Sequence, residues 1–375
     1  MKLMMIGGEN PLARGVKTTQ YQMLRHFSRY WDRIDILCSG GPGTRETTVY
    51  DNVFVHPSTR PLRQYPRYIV ETGRALLAEQ HHDLVTSHDF GLFYTGVSAW
   101  WMLRGTRQLL VSEIHHIEGY PMAADGRERF YRMLARLYIP WMWPHVAAIR
   151  AVNHVEIPGY LRRLGVPDDK ILILPSLYLD FSRFYPEAGV EPEYDALFVG
   201  RLVSNKGLFT LLDALRIVQR KMPGVRLGIR GEGPLRGRLE ARIEQLGLAG
   251  NVAFIPRLDN PEEIAGLYRR ARMLVCASTA EGGPRVTAEA MACGVPVVST
   301  PVGIMPELIE DGVSGMLFRW DAAELAEKML RLLGDEALRH RIGEAGRIAV
   351  QPFKDENIIR EYAEGYHALI KRFND

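Results

Sequence analysis

Glu281 and Glu289 stand eight positions apart in Glu281-Gly282-Gly283-Pro284-Arg285-Val286-Thr287-Ala288-Glu289, with a Gly-Gly-Pro turn between them. Proline suits the first position of a helix, where its missing N–H would have no intrahelical partner and its fixed φ already fits. Pro284 in that role puts Glu281 before the helix and Glu289 within it. The N–H groups of Gly283 and Arg285 then point out of the helix start, where the helix dipole favours an anion. Carboxylates accept hydrogen bonds from vicinal hydroxyls. A pair flanking a phosphate site therefore suits a ligand with hydroxyl-rich rings on both sides of a diphosphate, which is the shape of a nucleotide sugar.

A second group of residues points to the same ligand. Gly200-Arg201-Leu202-Val203-Ser204-Asn205-Lys206-Gly207 follows an apolar run at 196–199 and precedes a helical pattern over 208–219. An Arg grips phosphate bidentately and a Lys adds a mobile point charge, so this strand-turn-helix is an anion-binding arrangement. Gly231-Glu232-Gly233-Pro234 and Ile255-Pro256-Arg257-Leu258 end two further runs. In the N-terminal half, Gly7-Gly8 and the loop 11–16 follow the first run, and glycine there lets backbone approach a ligand closely. His115 follows the run 109–114, at the strand end where open α/β sheets bind ligands; His88 and His116 are its neighbours in that role.

Taken together these segments resemble the retaining glycosyltransferases of family 4, with their E-x7-E motif and GT-B fold. The resemblance implies an α/β protein of two Rossmann-like, doubly wound domains facing across a cleft. It implies Arg201, Lys206, Glu281 and His115 as catalytic residues, and Gly15, Gly200, Gly231, Gly233, Arg257, Gly283, Arg285 and Glu289 as donor-binding residues. In that pattern Arg201 and Lys206 bind the diphosphate, Glu281 the sugar hydroxyls, Glu289 the ribose, and His115 the transferred sugar. Gly15 matches the second glycine of the family's paired-glycine loop. Three departures stand out: Gly283-Pro284 replaces Phe-Gly and removes a backbone donor, Arg14 replaces the first glycine of the loop, and Ser176 replaces an asparagine in the linker.

The elements that must position these residues are legible as alternating runs. Strands are expected at 3–6, 34–38, 84–87, 109–114, 147–152 and 171–174, then at 196–199, 226–229, 252–255, 273–276, 295–299 and 315–318. Strands separated by helical patterns imply parallel sheets with right-handed crossovers. The boundary is placed in the proline-bearing stretch 175–192, giving an acceptor-binding domain over 1–182 and a nucleotide-sugar-binding domain over 183–350. By the resemblance, a helix within 351–375 crosses back onto the first domain.

Length and composition set outer limits. A chain of 375 residues is about two domains by the usual size prior. A net charge of +3 argues against bulk nucleic-acid binding. Cys38, Cys276 and Cys293 are odd in number and lack ligand spacing, so neither a disulfide framework nor a zinc site is expected and a reducing cytoplasm fits. The N-terminus reads as a strand rather than a signal peptide, and no apolar run approaches the roughly 18 to 20 residues of a spanning helix.

The implied reaction moves a sugar from a nucleoside diphosphate sugar to an acceptor hydroxyl, on a glycan, a lipid-linked saccharide or a small molecule, with retention. No cofactor is expected beyond the donor substrate. No metal is expected either, since no Asp-x-Asp pair follows a strand and the cations can replace a divalent ion. Two other readings use the same residues: a sugar-nucleotide epimerase or hydrolase, and a non-catalytic nucleotide-sugar-binding subunit. The segment 127–143 alternates basic and aromatic residues at helical spacing, with Arg60, Arg63, Arg67, Arg74 and Trp100-Trp101 nearby in sequence. It reads equally as a surface for peripheral contact with anionic membrane and as a helix with a core face and solvated arginines.

Overall fold

The computed structural model describes residues 1–8, 10–41, 43–258 and 260–374; Asp375, the end of the expected C-terminal segment, lies outside them. The chain divides into two compact units, one made of Met1–Ile117, Phe130–Ser176 and Asp355–Asp375, the other of Glu118–Arg129 and Leu177–Lys354. The boundary therefore falls six residues earlier than the expected 182/183, and re-entry falls at 355 rather than 351. Packing explains the shift: Leu177 and Leu179 are buried with Phe184 and Tyr194 in a core of the second unit. Residues 118–129 also belong there, tied by the Met122 N–H to the Thr279 carbonyl at 3.3 Å and by the Ser204 hydroxyl to Asp125 at 2.8 Å.

The first unit holds β1 (Lys2–Gly8), β2 (Arg33–Ser39), β3 (Thr47–Val49), β4 (Val53–Ser58), β5 (Leu84–His88), β6 (Leu109–Ile114), β7 (Ala148–Ala151) and β8 (Ile171–Ile173). They form a sheet in the order β3-β4-β2-β1-β5-β6-β7-β8, parallel except for the antiparallel edge pair β3/β4. Strands covered on both faces tend to read as apolar runs, as residues 3–6 of β1 do, whereas the equally buried β2 and β5 carry Asp35 and Thr86-Ser87 inside. The β3/β4 hairpin is absent from the sequence expectation. Its turn is built on Tyr50 and Asp51, both at positive φ (51° and 63°), without the Asn-Gly or Asp-Gly signature that marks such turns. The helix Asp355–Asn374 packs in this unit, where Tyr362 stacks on Phe27 at 4.6 Å.

The second unit holds β9 (Ala196–Val199), β10 (Leu227–Arg230), β11 (Val252–Ile255), β12 (Leu274–Cys276), β13 (Val297–Ser299) and β14 (Met316–Leu317), parallel in the order β11-β10-β9-β12-β13-β14. Strand order reverses between β9 and β12, which makes the carboxyl ends of those two strands the switch point where such sheets bind ligands. One core lies under the helices Leu208–Lys221 and Ala322–Gly334, and another under Arg285–Ala292.

Candidate functional site

At the β9/β12 switch point, close backbone packing brings the charged residues together. The loop 200–207 leaves β9 and ends at Gly207, whose φ is +63°. A Cβ there would run into the Ala277 carbonyl, so only glycine lets this loop lie against the one that leaves β12. Asn205 fastens the contact: its carbonyl accepts from the Thr279 N–H at 2.8 Å, and its side-chain amide donates to the Ala280 carbonyl at 3.2 Å. The loop after β10 is held in the same way, since a Cβ on Gly231 would meet the Gly200 carbonyl oxygen. Gly233 lies just beyond, against Leu202.

That packing sets the Lys206 ammonium on the Glu281 carboxylate, two residues 75 positions apart in the chain. Their side chains keep 17% and 18% exposure, so the pair is partly withdrawn from water yet open to a ligand. Glu281 also accepts from the Ser278 hydroxyl at 3.0 Å. The Ser278 carbonyl in turn accepts from the Thr300 hydroxyl at 2.6 Å and the Trp320 indole N–H at 2.8 Å. Ser278 and Trp320 were not singled out from sequence; Ser278 could have been, standing just past the end of β12. Arg201, on the same loop as Lys206, is an exposed residue. Burial and Glu128 raise the pKa of the nearby Glu118, and Arg201 partly offsets them.

The helix carrying Glu289 runs Arg285–Ala292, with Pro284 as its N-cap rather than its first helical residue. The difference is one position: the Pro284 carbonyl accepts the Thr287 N–H at 3.0 Å, so the first turn starts from it. Gly282 is pinned by the Ile304 N–H on its carbonyl at 3.1 Å, and Gly283 lies against the Ile304 side chain. The Arg285 side chain is engaged with Tyr178, donating to its carbonyl at 3.1 Å and lying 4.1 Å over its ring. Its backbone N–H stays at the helix start. Glu289 and Glu281 do not share a partner in these contacts. Glu289 accepts the Tyr268 hydroxyl at 2.8 Å, and burial raises its pKa against the opposing pull of Arg285 and Tyr268. Tyr268 carried no sequence signal. Arg257 is exposed after β11, and the unpredicted Arg230 donates to the Leu258 carbonyl at 3.0 Å beside it.

In the first unit, His115 follows β6 and its ring centroid lies 4.3 Å from that of His88, which ends β5. Burial, with His115 next, pushes His88 down to about 3, so that ring is neutral at ordinary pH. The His115 Nε2 faces the Glu113 carboxylate at 3.5 Å. Gly15 has a φ of +72° with open space around its α-carbon, so its loop is shaped by conformation and not by crowding. Among the described residues, no group of three or more His, Cys, Asp or Glu is placed to hold a metal ion, and no helix is long and apolar enough to cross a membrane. Cys38, Cys276 and Cys293 are free thiols, all buried.

Comparison with known proteins adds a family to this geometry. Residues 184–349 match the family described as Glycosyl transferases group 1, and residues 14–176 match the Glycosyl transferase 4-like domain. N-acetyl-alpha-D-glucosaminyl L-malate synthase of Bacillus anthracis is 32% identical over 354 residues, covering 90% of each chain. Several other relatives are matched over only about half their own length. Among solved structures, sucrose-phosphate synthase from Thermosynechococcus elongatus is similar with a TM-score of 0.83 at 20% identity, over 99% of both chains. Anabaena HepE, solved in complex with UDP-glucose, is similar with a TM-score of 0.75 at 21% identity, over 98% of this chain and 100% of its own.

Proposed function

Because this chain belongs to the family 4, group 1 glycosyltransferases and has their GT-B fold, we propose that it moves a sugar from a nucleoside diphosphate sugar to an acceptor hydroxyl, with retention of configuration. The observation that carries this reading is the Lys206–Glu281 pair at the switch point, with Arg201 on the same loop. As the bond from the anomeric carbon to the diphosphate oxygen breaks, its electrons go to the diphosphate. The acceptor oxygen bonds to the anomeric carbon and its proton passes to the departing phosphate, so the protein need supply no nucleophile. Fixed cations at the developing negative charge stabilise the transition state more than the ground state. Lys206 exchanges Glu281 for the diphosphate when donor binds, which frees Glu281 for the sugar hydroxyls. Glu289 takes the ribose, His115 contacts the transferred sugar, and the Gly15 loop lies against the donor phosphate. The two cations do the work of a divalent ion.

The HepE complex with UDP-glucose makes a UDP-sugar the first donor to try. The test is release of nucleoside diphosphate from such a donor by the purified chain. Release that depends on a saccharide, lipid-linked or small-molecule acceptor supports transfer; release without acceptor points to a hydrolase; none across UDP-, GDP- and ADP-sugars rejects the reading.

We also propose that the first unit rests on anionic membrane. The helix Gly126–Met142 exposes Phe130, Met133, Leu137 and Trp141 while burying Ala135, Tyr138 and Ile139. Its neighbour Tyr94–Leu103 exposes Val97 and Trp101, and one groove is lined from both helices. The exposed Arg136 and Arg104 accompany this apolar face, and Arg104 lies 5.2 Å over Trp101. An apolar face with basic companions suits an anionic headgroup layer. Co-sedimentation with phosphatidylglycerol vesicles, lost in Leu137→Glu, is the expected result; equal sedimentation with neutral vesicles or none with either removes it.

A further inference from the structure

We propose that Glu113 is the positioning residue for His115, fixing its imidazole with the proton on Nε2 and Nδ1 as the acceptor, and that the helix Asp355–Asn374 completes this arrangement through Tyr362 and Tyr366. The inference rests on His115 being a contact for the transferred sugar.

The carboxylate of Glu113, 5% exposed, stands on β6 with each oxygen assigned. Oε1 accepts the hydroxyls of Tyr362, at 2.8 Å, and Tyr366. Oε2 faces the Arg150 guanidinium at 3.3 Å and the His115 Nε2 at 3.5 Å. Arg150 is itself fixed: it donates to the Leu174 and Pro175 carbonyls, each at 3.1 Å, and lies 3.7 Å over the Tyr362 ring. These hydrogen bonds and ion pairs hold the Glu113 carboxylate rigidly, and removing one member leaves the others unmatched; the His115 Nε2 facing it is buried and has no hydrogen bond to any other group among the described residues. Burial works against the ionised form of Glu113, but Arg150 and His115 hold it well below the usual carboxylate range. The group facing His115 is therefore an anion.

An imidazole nitrogen turned toward a fixed anion is attracted through its N–H and repelled through its lone pair. Nε2 is shut off from water, so the 29% exposure of the ring belongs to its other atoms. In the neutral ring only one nitrogen carries the proton. With that proton on Nε2, Nδ1 is left to accept a hydroxyl from a sugar. The tautomer that receives the ligand is thus selected by a residue two positions earlier in the chain. That residue is seated by tyrosines 249 and 253 positions away.

The test is ¹⁵N NMR of histidine-labelled protein, with the His115 signals identified by their loss in His115→Ala. Wild-type protein is expected to show neutral His115 protonated at Nε2. Glu113→Gln can turn its amide N–H toward Nε2, and is expected to move the proton to Nδ1 and lower kcat by about 10- to 100-fold with little change in donor KM. Glu113→Asp should restore the Nε2–H form. A wild-type ring protonated at Nδ1 overturns the proposal without any variant, so poor folding of Glu113→Gln does not rescue it; an unchanged tautomer in a folded Glu113→Gln overturns it as well. Undiminished turnover in His115→Ala, beside an Nε2–H ring in wild type, overturns the sugar-contact reading instead.

Discussion

The two units hold their key residues by different means. In the second, backbone lies on backbone: Gly207 against the Ala277 carbonyl and Gly231 against that of Gly200, with the charged pair Lys206–Glu281 carried at the surface of this packing. In the first, charged side chains are buried and knit into the fold. Glu113 and Arg150 form one such cluster. Asp35 forms another, fully buried with the His56 and His82 Nε2 atoms at 2.9 and 2.8 Å and Arg33 at 2.7 Å, while His56 reaches Glu46 at 2.9 Å. Crowded backbone fixes the position of a charge without neutralising it deep in the protein, leaving it available to a ligand. A buried network makes its charges structural and passes on only orientation.

Variants that separate stability from turnover put this contrast at risk. The largest effect is expected for Glu113→Ala, which strands the buried Arg150 guanidinium and should destabilise the first unit by about 3 to 5 kcal/mol in urea unfolding. Lys206→Ala and Arg201→Ala should each reduce turnover by about 10²- to 10³-fold. Because the Lys206–Glu281 pair is partly exposed, Lys206→Ala should change stability by no more than about 1 kcal/mol. A stability loss there as large as for Glu113→Ala would erase the distinction between the units. Next come the glycines: Gly15→Ala has room for its Cβ and should cost only the left-handed strain, about 1 to 2 kcal/mol, whereas Gly207→Ala adds a backbone collision and should cost more. Equal losses on thermal denaturation would show that crowding at Gly207 is unimportant.

The smallest effect expected is a pH slope. Burial opposes protonation of His56, but hydrogen bonds to Asp35 and Glu46 win and raise its pKa above the ordinary 6.5. A raised histidine contributes stability in full below its unfolded value, about 6.5, and loses it as pH rises through the folded value. Stability of the first unit should therefore fall on going from pH 6 into the mildly alkaline range, and His56→Gln should flatten that fall. A slope of the opposite sign would mean that His56 is neutral in its cluster.

Much of the architecture was legible because short, mostly apolar runs alternate with helical patterns along the chain. The runs at 109–114, 196–199 and 252–255 coincide with β6, β9 and β11. The loop after β9 was legible through Gly207, which backbone contact requires, and the loop after β12 through the Gly-Gly-Pro turn between its two glutamates. Pairing was not: Lys206 and Glu281 were expected on one ligand, and nothing in either segment indicated that they form an ion pair with each other. Tyr268 under Glu289, and Tyr362 and Tyr366 on Glu113, are unremarkable aromatics until the fold closes distances of 21, 249 and 253 positions. The β3/β4 hairpin escaped because its turn uses Tyr50 and Asp51 where glycine or asparagine is usual.

The discontinuity of the first unit bears on how the protein is made. Residues 177–354 lie between Glu113 and the tyrosines that seat it, so a growing chain emerging from the ribosome can assemble the second unit first. Domains generally fold as units during synthesis, at about 5 to 20 residues per second. The first unit then waits roughly 10 to 40 seconds at that rate with its Glu113–Arg150 cluster lacking both hydroxyls.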